Sequence, residues 1–131
     1  MPGESVPLVP SVLHLTYVQN RGAAFGLFQG QQLLFIVVAL GIIAWLVREL
    51  ACRPSASRAV WWGCALVLGG ATGNLLDRLR LGYVVDFIDL RVWPVFNVGD
   101  SAITVGVTLL ILHSLFAAQG QRIGDGGRGK R

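Results

Sequence analysis

The sequence predicts an all-α membrane protein, with three transmembrane helices carrying a small extracytoplasmic β element. Three observations lead to this. Hydrophobic residues make up 53% of the 131 and charged residues only 14%, with a mean hydropathy of +0.61, too apolar for a soluble domain of this size. Three separate segments approach the roughly 20 apolar residues that cross a bilayer core. Two short stretches outside them are β-prone.

The first span runs from about Gln29 to Val47 and ends at Arg48-Glu49, before the polar loop Cys52-Arg53-Pro54-Ser55-Ala56-Ser57-Arg58. The second covers about Ala59 to Leu76 and opens with Trp61-Trp62, amphipathic rings suited to a membrane interface. The third covers about Val98 to Ala118, which closes a membrane-embedded domain of residues 1–118. Residues 119–131, rich in Gly and Arg, read as a disordered basic tail.

Cytoplasmic loops carry the excess of Lys and Arg. Arg48, Arg53, Arg58, Arg122, Arg128, Lys130 and Arg131 fall on one side of the spans, and Arg21, Arg78, Arg80 and Arg91 on the other. The Cys52 loop and the tail are therefore expected in the cytoplasm, and the N-terminal segment and the loop from Asp77 to Asn97 outside. In that outer region Tyr83-Val84-Val85-Asp86-Phe87-Ile88 is β-prone, and Leu13 to Val18 alternates like a half-buried strand. Together they predict a small sheet lying on the membrane surface.

Several function classes are disfavoured. The net charge of +4 comes from cations scattered among apolar blocks, so no basic stripe forms and no nucleic-acid partner is expected. Cys52 and Cys64 have no CxxC spacing and no neighbouring histidine, which supports neither a zinc site nor a disulfide framework. The start, Met1-Pro2-Gly3-Glu4-Ser5, lacks the basic and apolar regions of a cleavable signal peptide. His14 and His113 fall on opposite sides of the membrane, each suited to a core or interfacial role.

Ionisable residues beside a span are costly, so they are usually paired, facing a cavity and functional. Asp77, Asp86, Asp89 and Asp100 gather at the outer edge, with Arg78 among them. In Phe96-Asn97-Val98-Gly99-Asp100-Ser101, Asn97 is a good N-cap and Asp100 falls in the first turn of the third span. A capped helix accounts for Asp100 as readily as a catalytic base does. Asp86 interrupts an apolar run, where burial without a partner costs several kcal/mol. Its partner is either Arg78 or Arg91 in a salt bridge, or Asp100 in a pair sharing one proton, the arrangement that activates water for peptide hydrolysis. Gly69 and Gly73, one turn apart, are expected to let another helix approach. Asn74, Asp77 and Arg78 leave the end of that helix from nearly one face as a supporting polar network.

Four blocks, Asn20-Arg21-Gly22-Ala23-Ala24-Phe25-Gly26, Gly69 to Arg78, Val85-Asp86-Phe87 and Phe96 to Ser101, resemble in order and spacing the signatures of bacterial lipoprotein signal peptidase (signal peptidase II). The resemblance covers about Val6 to Ala118. It implies an intramembrane aspartic endopeptidase that removes signal peptides from prolipoproteins, cutting before a cysteine that carries diacylglyceryl. It implies Asp86 and Asp100 as the catalytic pair, Asn20, Asn74, Arg78 and Asn97 as positioning residues, and Asp77 as a structural partner of Arg78. No metal or organic cofactor is implied, and the expected setting is the bacterial inner membrane, with the chain a monomer in contact with lipid. The family has four transmembrane helices, so a further N-terminal one is expected upstream of Met1 in an active form. Gly99 stands where the family more often has alanine. Two other classes compete: a small ion-coupled transporter, disfavoured because the acids lie at the outer edge rather than mid-span, and a non-catalytic scaffold, in which Asp86→Asn and Asp100→Asn would be silent.

Overall fold

A computed structural model describes residues 1–22, 28–52 and 57–126, the side chains of 118–126 excepted. Its elements run β1 (Ser5–Val9), β2 (Leu13–Asn20), α1 (Gln32–Cys52), α2 (Arg58–Leu81), β3 (Val84–Asp89) and α3 (Val98–Gly126). All three helices contain a stretch long and apolar enough to span a bilayer, at Gln32–Cys52, Arg58–Leu81 and Val98–Ala117. The protein is a multi-pass membrane protein, as its composition predicts.

The helices outrun the apolar segments because hydropathy stops at the first charges whereas backbone hydrogen bonding does not. In α2 the charged turn after Leu76 stays helical to Leu81. It ends only where Gly82 adopts φ 82° and returns its N–H to the Arg78 carbonyl at 3.1 Å. That extra turn carries Asp77 and Arg78 as helical residues. The N-terminus of α2 is capped by Ser57, whose Oγ accepts from Val60 N–H at 3.4 Å. Helix α3 runs on past Ala118 to Gly126, and residues 127–131 of the expected tail lie outside the described residues.

α2 packs against both α1 and α3. A small core forms at Leu46, Cys64 and Val67, with Leu110 against it. Gly69 and Gly73, the pair expected to admit a neighbouring helix, make no close approach to α3: they line an open groove beside Val98, Gly99 and Ala102, and a Cβ at either position would meet nothing within 4 Å. The close approach is made by Gly70, where a Cβ would collide with the Gly99 carbonyl oxygen, and by Gly106, where it would meet the Gly63 carbonyl oxygen at 2.6 Å. Positions 63, 67, 70 and 74 share the heptad-like face that α2 turns to α3, whereas 69 and 73 lie on the adjacent one.

The expected sheet is present and larger than predicted. β2 pairs antiparallel with β3, from His14 opposite Asp89 to Asn20 opposite Val84. β1 adds a third strand on the far edge of β2, giving the order β1-β2-β3. Sequence reasoning missed β1 because Pro7 and Pro10 argue against a strand, yet Pro7 sits on an edge strand, where proline's missing N–H is tolerated. Beyond β3, Ile88 and Phe96 exchange backbone hydrogen bonds at 2.7 and 3.1 Å. This bridge folds residues 90–95 into a loop and sets the N-terminus of α3 beside β3.

Candidate active site

β3 and α3 meet at Asn97, which both caps a helix and holds an acid. Its Oδ1 accepts from Asp100 N–H at 3.0 Å, while its own N–H donates to Asp100 Oδ2 at 3.2 Å, a reciprocal capping arrangement. Its Nδ2 donates to Asp86 Oδ1 at 2.7 Å. The other oxygen of Asp86 accepts from Asn20 Nδ2 at 2.8 Å, brought across from the end of β2. The second oxygen of Asp100 accepts from Asn74 Nδ2 at 2.8 Å, presented by α2. Each carboxylate is thus held by amide N–H groups on both oxygens.

Asp86 is only 1% exposed, so its raised environment is severe. Burial pushes its carboxyl above the ordinary carboxylate range, and the negative charge of Asp100 adds to that. The hydrogen bonds from Asn20 and Asn97 and the charge of Arg78 pull the other way. Among the described residues no ion pair within 4 Å joins Asp86 to Arg78 or Arg91, and Arg91 pairs instead with Asp89 at 3.1 Å. Asp89 also accepts from Thr16 Oγ1 at 2.7 Å and from Arg91 N–H at 2.8 Å, so it fastens the sheet. These bonds, that from Thr16 foremost, hold the Asp89 carboxyl below its usual range.

Asp86 and Asp100 line one cavity of about 380 Å³, together with Asn20, Asn74 and Arg78. No histidine lines it. Of the other expected support residues, Asp77 accepts from Val85 N–H at 3.1 Å, which ties α2 to the start of β3, and its charge acts on neighbouring Arg78. Arg78 donates from Nη2 to the Gly22 carbonyl at 3.3 Å. The Ala23 to Gly26 part of the Asn20 block lies outside the described residues. Sequence reasoning missed Phe35, Trp93 and Phe96, which also line the cavity. Nothing separates Phe35 from the other apolar residues of its span. Gln32, whose Nε2 donates to the Arg78 carbonyl at 2.9 Å, does carry a signal: it is a polar side chain at the head of an apolar run.

The family model described as signal peptidase (SPase) II matches residues 1–116. The chain belongs to the signal peptidase II family. Among relatives of this signal peptidase II chain, the lipoprotein signal peptidase of Halothermothrix orenii is 48% identical over 122 residues, covering 93% of this chain and 81% of that protein. That of Pelotomaculum thermopropionicum is 52% identical over 109 residues, 82% of this chain and 71% of that protein. Two solved structures of bacterial membrane enzymes share the fold. One has a TM-score of 0.86 at 32% identity, covering 92% of this chain and 76% of its own. The other has a TM-score of 0.79 at 34% identity, covering 88% and 77%.

Proposed function

We propose that this signal peptidase II family member is an aspartic endopeptidase of the bacterial inner membrane, working on the extracytoplasmic side. It removes signal peptides from prolipoproteins by cutting before the diacylglyceryl-modified cysteine. The observation that carries this reading is the pair of carboxylates, Asp86 and Asp100, lining one cavity and held by Asn20, Asn74 and Asn97. The names of the relatives supply the substrate class.

Two nearby carboxylates titrate as a pair and share one proton at working pH. Asp86, buried and raised, holds that proton. Asp100, in the first turn of α3 with both oxygens accepting N–H bonds, is the base of the pair. Asp100 takes a proton from water as the water oxygen bonds to the scissile carbonyl carbon, and Asp86 gives its proton to the carbonyl oxygen. Collapse of the resulting diol returns a proton from its hydroxyl to Asp86. Asp100 then passes its proton to the leaving nitrogen as the C–N bond breaks. No metal or cofactor takes part in this scheme.

The test is cleavage of a diacylglyceryl-modified prolipoprotein by Asp86→Asn and Asp100→Asn variants that keep the wild-type fold. Each is expected to lose cleavage by at least about a thousandfold. Near-normal cleavage by either folded variant rules out the two acids as the catalytic pair.

A further inference from the structure

α1 sends two side chains to the site, Gln32 and Phe35, three residues apart on its first turn. Both act on one residue of α2. Gln32 binds the carbonyl of Arg78, and the Phe35 ring lies under its guanidinium, 4.8 Å from Cζ to the ring centroid and well inside cation–π range. Among the described residues the hydrogen bonds of the guanidinium are long, 3.3 Å to the Gly22 carbonyl and 3.5 Å to the Asn74 carbonyl, and the second is at the limit of a useful bond. Among the described residues no ion pair within 4 Å joins Arg78 to an acid. Its charge therefore reaches the carboxylates through space, and its effect depends on where the guanidinium stands.

We infer that Phe35 is a positioning residue, whose ring face sets the place of the Arg78 guanidinium relative to Asp86 and Asp100. The inference rests on the peptidase reading only for its kinetic consequence. The charged groups around Arg78 are Asp77 on its own helix, Asp86 on β3 and Asp100 on α3, and α1 adds no charge at this end. Arg78 is thus the cation that offsets three acids. Without the ring, the guanidinium turns toward water, the dyad loses part of that offset, and Asp86 holds its proton to higher pH.

The experiment compares Phe35→Leu, which keeps apolar bulk without an aromatic face, with Phe35→Trp, which keeps the face. The Asp86 carboxyl is titrated by carbon NMR in detergent micelles, and kcat/KM is followed against pH on a diacylglyceryl-modified prolipoprotein. Phe35→Leu is expected to move the Asp86 midpoint upward, move the alkaline limb of the profile with it, and lower kcat/KM at its optimum about fivefold to tenfold, because a weaker acid gives up its proton less readily. Phe35→Trp should restore all three. In an Arg78→Ala background, or Arg78→Gln if the alanine variant does not fold, Phe35→Leu should shift nothing further. An unchanged Asp86 midpoint in Phe35→Leu, or an equal shift without Arg78, overturns the inference. Absence of cleavage by a form that carries the expected further N-terminal helix counts against the peptidase reading instead, and the titration still decides the role of Phe35.

Discussion

Asn97 Nδ2 donates to Asp86 Oδ1 across 2.7 Å, so the N-cap of a transmembrane helix also orients an acid on a neighbouring strand. The two jobs separate chemically. Serine at position 97 can cap α3 but is too short to reach Asp86. Asn97→Ser is therefore expected to keep thermal stability close to wild type while losing about threefold to tenfold in kcat/KM, the worth of one hydrogen bond. Asn97→Ala should lose activity and also about 1 kcal/mol of stability with the cap. Comparable activity in the serine variant and the wild type, measured on matched folded protein, would dismiss the Asn97 to Asp86 bond as a catalytic support.

The raised carboxyl of Asp86 has a stability consequence whose sign is fixed by linkage. Its folded pKa lies above the unfolded value of about 3.9, so the fold prefers the protonated form. The stability it contributes is present in full below that unfolded value and is lost as pH rises through the folded pKa. Thermal unfolding of the wild type and of Asp86→Asn, compared from pH 3.5 upward, should show the wild type declining relative to the variant through that window. A wild type that instead gains on the variant as pH rises would mean that Asp86 is stabilised as a carboxylate.

Helix crossing depends on Gly70 rather than Gly73. A methyl at Gly70 collides with the Gly99 backbone, which cannot swing aside, whereas one at Gly73 meets nothing within 4 Å. Gly70→Ala should cost about 1–3 kcal/mol or more, and Gly73→Ala should be neutral or slightly stabilising through helix propensity. Retained folded fraction in graded denaturant reads both. Gly99→Ala is the contrasting case: its methyl would meet Asn74 Oδ1 at 2.8 Å and Asn97 Oδ1 at 2.9 Å, side-chain ends that can give, and since the family more often has alanine here the variant should keep its activity.

The orientation argued from charge is testable with thiols. Cys52 is exposed at the end of α1 and Cys64 is buried, while Val92 is 90% exposed in the loop after β3. In intact cells a membrane-impermeant maleimide should label Val92→Cys and leave native Cys52 unlabelled until the membrane is opened. Labelling of Cys52 in sealed cells would reverse the topology and put the acids in the cytoplasm.

Composition and hydropathy alone determine that this chain carries three segments able to cross a membrane, because crossing depends on local sums of transfer free energy over about 20 residues. The acids at the outer edge, the cap at Asn97 and the strands around Leu13 and Asp86 were legible too, since each is a local pattern of residue type. What the tertiary structure alone decided are the relations between elements. Hydropathy cannot report how α2 is rotated about its axis, so residue spacing points to Gly69 and Gly73 where the crossing uses Gly70 and Gly99. An edge strand containing proline looks like a loop until β2 lies beside it. The two asparagines that hold Asp86 stand 66 and 11 positions away, a pairing that the sequence alternatives for Asp86, an arginine or Asp100, did not include. Phe35 was indistinguishable from any other apolar residue of its span until the Arg78 guanidinium was found over its ring. A side chain's partner is fixed by the packing of the whole chain, which no window of sequence contains.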